Sequence, residues 1–289
     1  MSGADVLLAA PRTGIVAGMG PELVLERLRG ARNADGGYGP SPGAPSEPEP
    51  TALVAIALAD KGAARWLTAH QRADGSFGVV DGPVRDEAAT GLAAVAMPAG
   101  PARERALDRL EVVRGRRIGF NPAVPHDDRY RGWPWTDGTF GWVEPTARAL
   151  LALRRFRPRS PRIAEGVALL RDRRSVGGGW NYGNRVVLGV ELPPFAHTTA
   201  VALLGLRGLD PPLEAEGLRA LARLWREEDG GVLSVATALA AFRASGWHDE
   251  VASARARLSA LLDRSELQDT VADAWAAIAL GPGLERLVG

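Results

Sequence analysis

Trp66-Leu67-Thr68-Ala69-His70-Gln71-Arg72-Ala73-Asp74-Gly75-Ser76-Phe77 reads as the end of a helix, a tight Asp-Gly turn and an aromatic that closes the turn. Glycine supplies the left-handed residue that ends a helix, and the ring caps the neighbouring core. Related turns are Asp35-Gly36-Gly37-Tyr38, Gly177-Gly178-Gly179-Trp180 and, without the ring, Asp229-Gly230-Gly231. A chain that repeats itself is built of units that bury one another's apolar faces, so the repeat decides the fold.

Working outward, two kinds of helical segment alternate. Six are made almost entirely of small and aliphatic residues: 49–58, 86–95, 144–153, 197–206, 235–242 and 269–280. Several open on a polar group followed by Thr-Ala, as in Glu49-Pro50-Thr51-Ala52, Glu144-Pro145-Thr146-Ala147 and His197-Thr198-Thr199-Ala200. Pro beside an acid suits a first helical turn. Helices that are apolar all round belong inside. The other six, 23–31, 63–71, 102–113, 163–173, 213–226 and 250–262, set Arg, Glu and Asp opposite a Leu/Ala stripe and belong outside. A linear stack of such pairs would need polar capping repeats, and neither terminal pair has that character. The pattern predicts an all-α fold: one α/α toroid of six inner and six outer helices over residues 1–289. The Pro-rich stretch 39–50 is its first outer-to-inner loop.

Composition narrows the function. Hydrophobic residues make up 46% and charged residues 24%, the balance of a globular protein. With 35 basic against 34 acidic residues and no one-sign block, nothing points to nucleic acid. Lys61 is the one lysine; the preference for Arg, Ala, Gly and Pro is that of a high-GC bacterial coding sequence. There is no Cys, so disulfides and thiolate metal ligands are excluded. Residues 1–11 lack a basic stretch and carry only a short apolar run at 6–10, and no run reaches spanning length. A cytoplasmic address is the expectation.

Trp66-Leu67, Gln71, Gly75 and Phe77 together resemble the QW repeat of squalene cyclases, with Phe in place of the final Trp. The segment His197-Thr198-Thr199-Ala200-Val201-Ala202-Leu203-Leu204-Gly205-Leu206 is similar to the helix that carries the zinc-ligand histidine in β subunits of protein prenyltransferases. Glu144-Pro145-Thr146-Ala147 and Trp180-Asn181-Tyr182-Gly183-Asn184 resemble the bacterial prenyltransferase/squalene-oxidase repeat proteins. The resemblance covers nearly the whole chain. It implies the α/α toroid and an isoprenoid-related activity, although one fold hosts several functions. Class II terpene cyclases protonate their substrate with an Asp-x-Asp-Asp motif; the nearest matches are Val84-Arg85-Asp86-Glu87 and Glu47-Pro48-Glu49-Pro50. The resemblance to prenyltransferases puts His197 in the zinc position but supplies no thiolate.

In such a ring the inner helices run parallel, so their N-termini share one face. That face would gather Glu49, Asp86, Glu87, Glu144, His197 and Asp269. The loops would bring Asp127, Asp128, Trp133, Trp135, Trp142, Trp180, Tyr182 and Phe195 to it. An apolar tube with a polar, aromatic mouth suits a hydrocarbon with a polar end, and ring faces stabilise a carbocation. Asp86, Glu87 or Glu144, kept protonated by burial, would be the proton donor. Each acid would equally serve as a helix cap, and His197 as an ordinary core residue. No cofactor is expected; a divalent metal between His197 and Glu144 is the alternative, with two ligands and no third. Two rival readings stay open: a non-catalytic toroid that engages a protein partner, as complement-type thioester-domain toroids do, and a subunit that needs a helical partner.

Overall fold

The computed structural model describes residues 20–78, 84–119, 121–228, 230–265 and 268–289. The apolar run at 6–10 and Asp229 of the ringless turn lie outside them. Six helices form the inner ring: α2 (Pro48–Leu58), α4 (Glu87–Ala96), α6 (Val143–Phe156), α8 (Ala196–Leu206), α10 (Val232–Ala244) and α12 (Thr270–Leu280). Each packs on the next, and α12 packs back on α2, which closes the ring. Outside it stand α1 (Gly20–Gly30), α3 (Lys61–His70), α5 (Pro101–Val112), α7 (Pro161–Arg173), α9 (Pro211–Glu227) and α11 (His248–Arg264). The first outer helix, α1, covers the last inner one, α12, and touches α11. This is the expected α/α toroid.

Small side chains let the inner helices approach closely. A Cβ on Gly91 would lie 2.6 Å from the Arg148 carbonyl oxygen, and one on Gly205 would lie 2.6 Å from that of Ala147. Helices α4 and α8 therefore touch the backbone of α6 on its two sides.

The recurring Thr-Ala has a specific use. Tyr38, Trp133 and Trp180 are fully buried between rings. Their backbone N–H groups donate to the hydroxyls of Thr51, Thr146 and Thr199, at 2.9, 3.1 and 2.9 Å. Each threonine thus ties the turn that ends an outer helix to the inner helix that follows. Within the stretch Trp66 to Phe77, Gln71 joins neighbouring units by donating to the carbonyls of Gly75 (3.1 Å) and Ala102 (2.9 Å). Replacing Thr199 by Val keeps the shape and leaves the Trp180 N–H unpaired in the core. That is expected to destabilise the fold by about 1–3 kcal/mol, read from urea unfolding; a change within 0.5 kcal/mol, roughly that of a surface substitution, would contradict this role for the motif.

One element has no counterpart in the twelve-helix pattern. Helix α13 (Gly283–Val288) buries Leu284, Leu287 and Val288. It touches α2, α4, α6, α10 and α12, so it sits across the bore at the end where the inner helices finish. Arg286 fastens it by donating to the carbonyls of Ile56 and Ala57, both at 2.6 Å. The bore is closed at that end, and its mouth lies at the helix N-termini.

Candidate functional site

At the mouth, side chains from four inner helices meet across the lumen. Arg148, in the second turn of α6, is fully buried, and its Nη2 lies 2.5 Å from Glu144 Oε1 and 2.5 Å from Glu49 Oε1. Glu49 belongs to α2, which α4 separates from α6 in the ring, so this guanidinium spans the bore. Glu144 Oε1 in turn lies 3.5 Å from His197 Nε2 on α8, and His197 Nδ1 lies 3.3 Å from the Thr237 hydroxyl on α10. Burial opposes ionisation of Glu144, but the Arg148 guanidinium and His197 outweigh it and hold the carboxyl well below its ordinary range.

Asp86 takes the opposite course. Its Oδ1 caps α4 by accepting from the Ala89 N–H at 2.9 Å. Strand β1 (Phe77–Gly78) pairs antiparallel with β2 (Arg85–Asp86), setting Phe77 beside Asp86, and the Glu87 N–H donates to the Trp135 carbonyl at 2.9 Å. The residue is therefore held on both sides. Burial pushes its carboxyl up to about 6, with the Ala89 N–H and Arg148 opposing and Glu49 reinforcing. A negative neighbour makes a second charge unfavourable, so the proton stays on Asp86 at pH values where an ordinary aspartate has lost it.

Glu87 does not enter the bore. It turns outward between α4 and α5, where Arg109 clasps its buried carboxyl and Asp137 joins the same arginine at 2.9 Å. Asp269 is exposed and caps α12 through the Val271 and Ala272 N–H groups, at 2.9 and 3.0 Å. Among the three acids considered as donors, Arg148 holds Glu144 ionised, Glu87 is raised by burial but faces outward to Arg109, and Asp86 is raised by burial at the mouth.

The aromatics divide as well. Trp135 lies beside the cluster, with the Arg148 guanidinium 5.5 Å from its ring. Trp142 stacks on Phe140 with centroids 4.5 Å apart, and Tyr182 meets Phe195 at 5.6 Å. Tyr182 and Phe195 are exposed, which makes these loops an aromatic rim. Trp133 and Trp180 do not line the mouth. Both are fully buried, and their indole N–H groups donate to the Leu110 and Leu170 carbonyls of outer helices, at 3.0 and 2.6 Å. They are the repeat-closing rings of their units.

Asp127 and Asp128 are spent within their own loop. Arg129 clasps Asp127, which brings its carboxyl down to about 2. Asp128 accepts the Gly119 N–H at 2.7 Å, and that bond keeps its carboxyl low. Among the described residues no group of three or more His, Cys, Asp or Glu side chains is arranged to hold a metal. Arg148 supplies the positive charge that Glu49 and Glu144 face. No helix among the described residues is long and apolar enough to cross a membrane.

Arg148, Phe140 and Thr237 were not expected from the sequence. The legible signal for Arg148 is its place four residues after Glu144, within a run of small and aliphatic residues, the i, i+4 spacing of an ion pair.

No protein-family model and no curated protein matches the chain. Solved structures do. The type II terpene cyclase MstE from Scytonema, as a variant holding its product merosterolic acid A, superposes with a TM-score of 0.59 and 17% identity over 90% of this chain and 96% of that one. Another variant of that enzyme, holding its substrate geranylgeranyl dihydroxybenzoate, gives 0.60 and 15% over 93% and 97%. A protein from Actinoplanes gives 0.58 and 16% over 93% and 99%. The chain shares with these proteins the α/α toroid of the squalene cyclase and prenyltransferase type.

Proposed function

We propose that this toroid takes the hydrocarbon part of an isoprenoid into its mouth and acts as a class II cyclase or isomerase, with Asp86 as general acid. The observation that carries the reading is the placement of the Asp86 carboxyl at the mouth, fixed by a cap, a strand pair and a backbone bond, with burial raising its pKa. A general acid works best when its pKa lies near the operating pH. In this scheme Asp86 delivers its proton to a terminal alkene, and positive charge develops on carbon. Trp135, Trp142, Tyr182 and Phe195 then present ring faces to the cation, and the ionised Glu144 adds negative potential. The cation collapses by loss of a proton from carbon, and Asp86 is reprotonated from solvent. Support comes also from the shared fold, since MstE holds a geranylgeranyl substrate.

Organic extraction of the purified chain followed by mass spectrometry tests the binding half of the proposal. A stoichiometric isoprenoid is the expected result; an extract without one from protein expressed in an isoprenoid-rich host, together with failure to take up added geranylgeraniol, would refute it. One feature favours a second reading, a non-catalytic toroid for a protein partner: Arg148 crosses the lumen above the α13 plug. Uptake of geranylgeraniol at one equivalent excludes that reading.

A further inference from the structure

At the end of the ring opposite the mouth lies a groove of about 490 Å³. Its apolar floor comes from the last turns of α2 and α4, including Ala55, Ile56, Val95, Ala96 and Met97. Around it stand five cations, Lys61, Arg65, Arg103, Arg155 and Arg286. None of the five makes a salt bridge with a described residue, whereas many arginines elsewhere do.

The nearby acids are already engaged. Asp60 accepts the Tyr38 hydroxyl at 2.9 Å and caps α3 through the Gly62 and Ala63 N–H groups. Glu104 pairs with Arg157 at 2.7 Å, and Glu285 with Arg243 at 3.8 Å. Arg103 and Arg155 are both drawn onto the Phe156 ring, at 4.4 and 5.0 Å, so two guanidinium groups are held close with no carboxylate between them. Burial and the charge of Arg155 lower the Arg103 pKa, a repulsion that a bound anion would relieve.

Arg286, Arg103 and Arg155 donate to backbone carbonyls of Ile56, Ala57, Met97 and Arg286, which neutralise no charge. From the apolar floor and its rim of cations without a carboxylate partner we infer a second binding site, for a single-chain amphiphile with a phosphate or carboxylate head. The volume lies within the range of small-ligand pockets. The chain would lie on the Ala/Val/Met floor and the head among the cations, where a guanidinium presents paired donors to phosphate or carboxylate. This site is separate from the mouth and does not depend on any chemistry there.

Calorimetric titration of the full chain with dodecyl phosphate, below its micelle concentration, tests it. The expected result is saturable binding of one equivalent, with dodecanol and inorganic phosphate each at least about tenfold weaker. Lys61 and Arg65 are exposed and make no ion pair with a described residue, so Lys61→Glu with Arg65→Glu spares the fold. That double variant should weaken dodecyl phosphate by about tenfold or more. Equal binding of dodecanol would reduce the site to an apolar groove, and equal binding of inorganic phosphate to an adventitious ion. Indifference to the double variant, or binding only to phosphatidylglycerol vesicles with none to monomeric dodecyl phosphate, would also overturn the inference.

Discussion

Asp86→Asn is expected to lower kcat by about 10²- to 10⁴-fold on any polyene that the wild-type chain cyclises, the range that a positioned general acid contributes. The amide retains the shape and can still cap α4 through its oxygen, so helicity and unfolding midpoint near neutral pH should change little. Glu87→Gln should leave the rate within a few-fold, because that carboxyl faces Arg109 outside the bore. The pH profile supplies an independent check. The proton on Asp86 is lost as pH rises through about 6, so wild-type kcat should fall by about tenfold per pH unit above that point. Unchanged turnover in Asp86→Asn, or a rate that climbs through pH 6, would remove Asp86 from the role.

The same shift has a consequence for stability. The folded chain binds the Asp86 proton more tightly than the unfolded one, so protonation favours the fold. That contribution is fully present below the ordinary value of 3.8 and is lost as pH rises through about 6. Asp273 behaves alike: burial raises it to about 6, with Arg27 opposing and Asp269 reinforcing. Stability should therefore decline from these two groups between about pH 4 and 6, and Asp86→Asn should remove one part of the decline and leave the other.

Arg148→Met is expected to cost about 3–5 kcal/mol of stability, the effect of removing one partner from a buried ion cluster. The thioether chain replaces the apolar stem of the arginine and none of its charge. Glu144, buried on α6, and Glu49, across the lumen on α2, would then face each other without the cation that each contacts at 2.5 Å. Without Arg148 the burial of Glu144 is no longer outweighed, its pKa rises, and destabilisation should ease at low pH as it takes up a proton. Adding Glu144→Gln to Arg148→Met should recover part of the loss, because the two residues share a partner network and their effects do not add. Urea unfolding of the two single variants and the double variant measures this. A loss below about 1 kcal/mol, the scale of an exposed pair, would mean the cluster is solvated rather than buried.

How far the sequence could be read depended on whether a signal was periodic. Inner and outer helices announced themselves because a segment such as Pro48–Leu58 has no polar face, while Pro101–Val112 has one. Ring closure followed from the missing end caps. Trp133 lies within a long insert and reads as loop, yet Gly132-Trp133 is the counterpart of Gly179-Trp180. In both, a glycine with positive φ (46° and 76°) precedes a tryptophan whose backbone N–H donates to a threonine hydroxyl. Arg148 lies one turn beyond the polar positions that open each inner helix: the ion pair begins at Glu144 in the first turn of α6 and ends in the second. Helix α13 is six residues long and carries too little periodicity to register. The environments that separate Asp86, Glu87 and Glu144 are tertiary: each acid opens an inner helix, and only the neighbours supplied by other elements set which faces the bore and which way its pKa moves.

A crystal structure of the chain soaked with geranylgeraniol addresses the mouth directly. Hydrocarbon density within the aromatic rim, reaching the Asp86 carboxyl, is the expected result. Density confined to the outer surface, with the Arg148–Glu49 contact unbroken and the mouth empty, would contradict it.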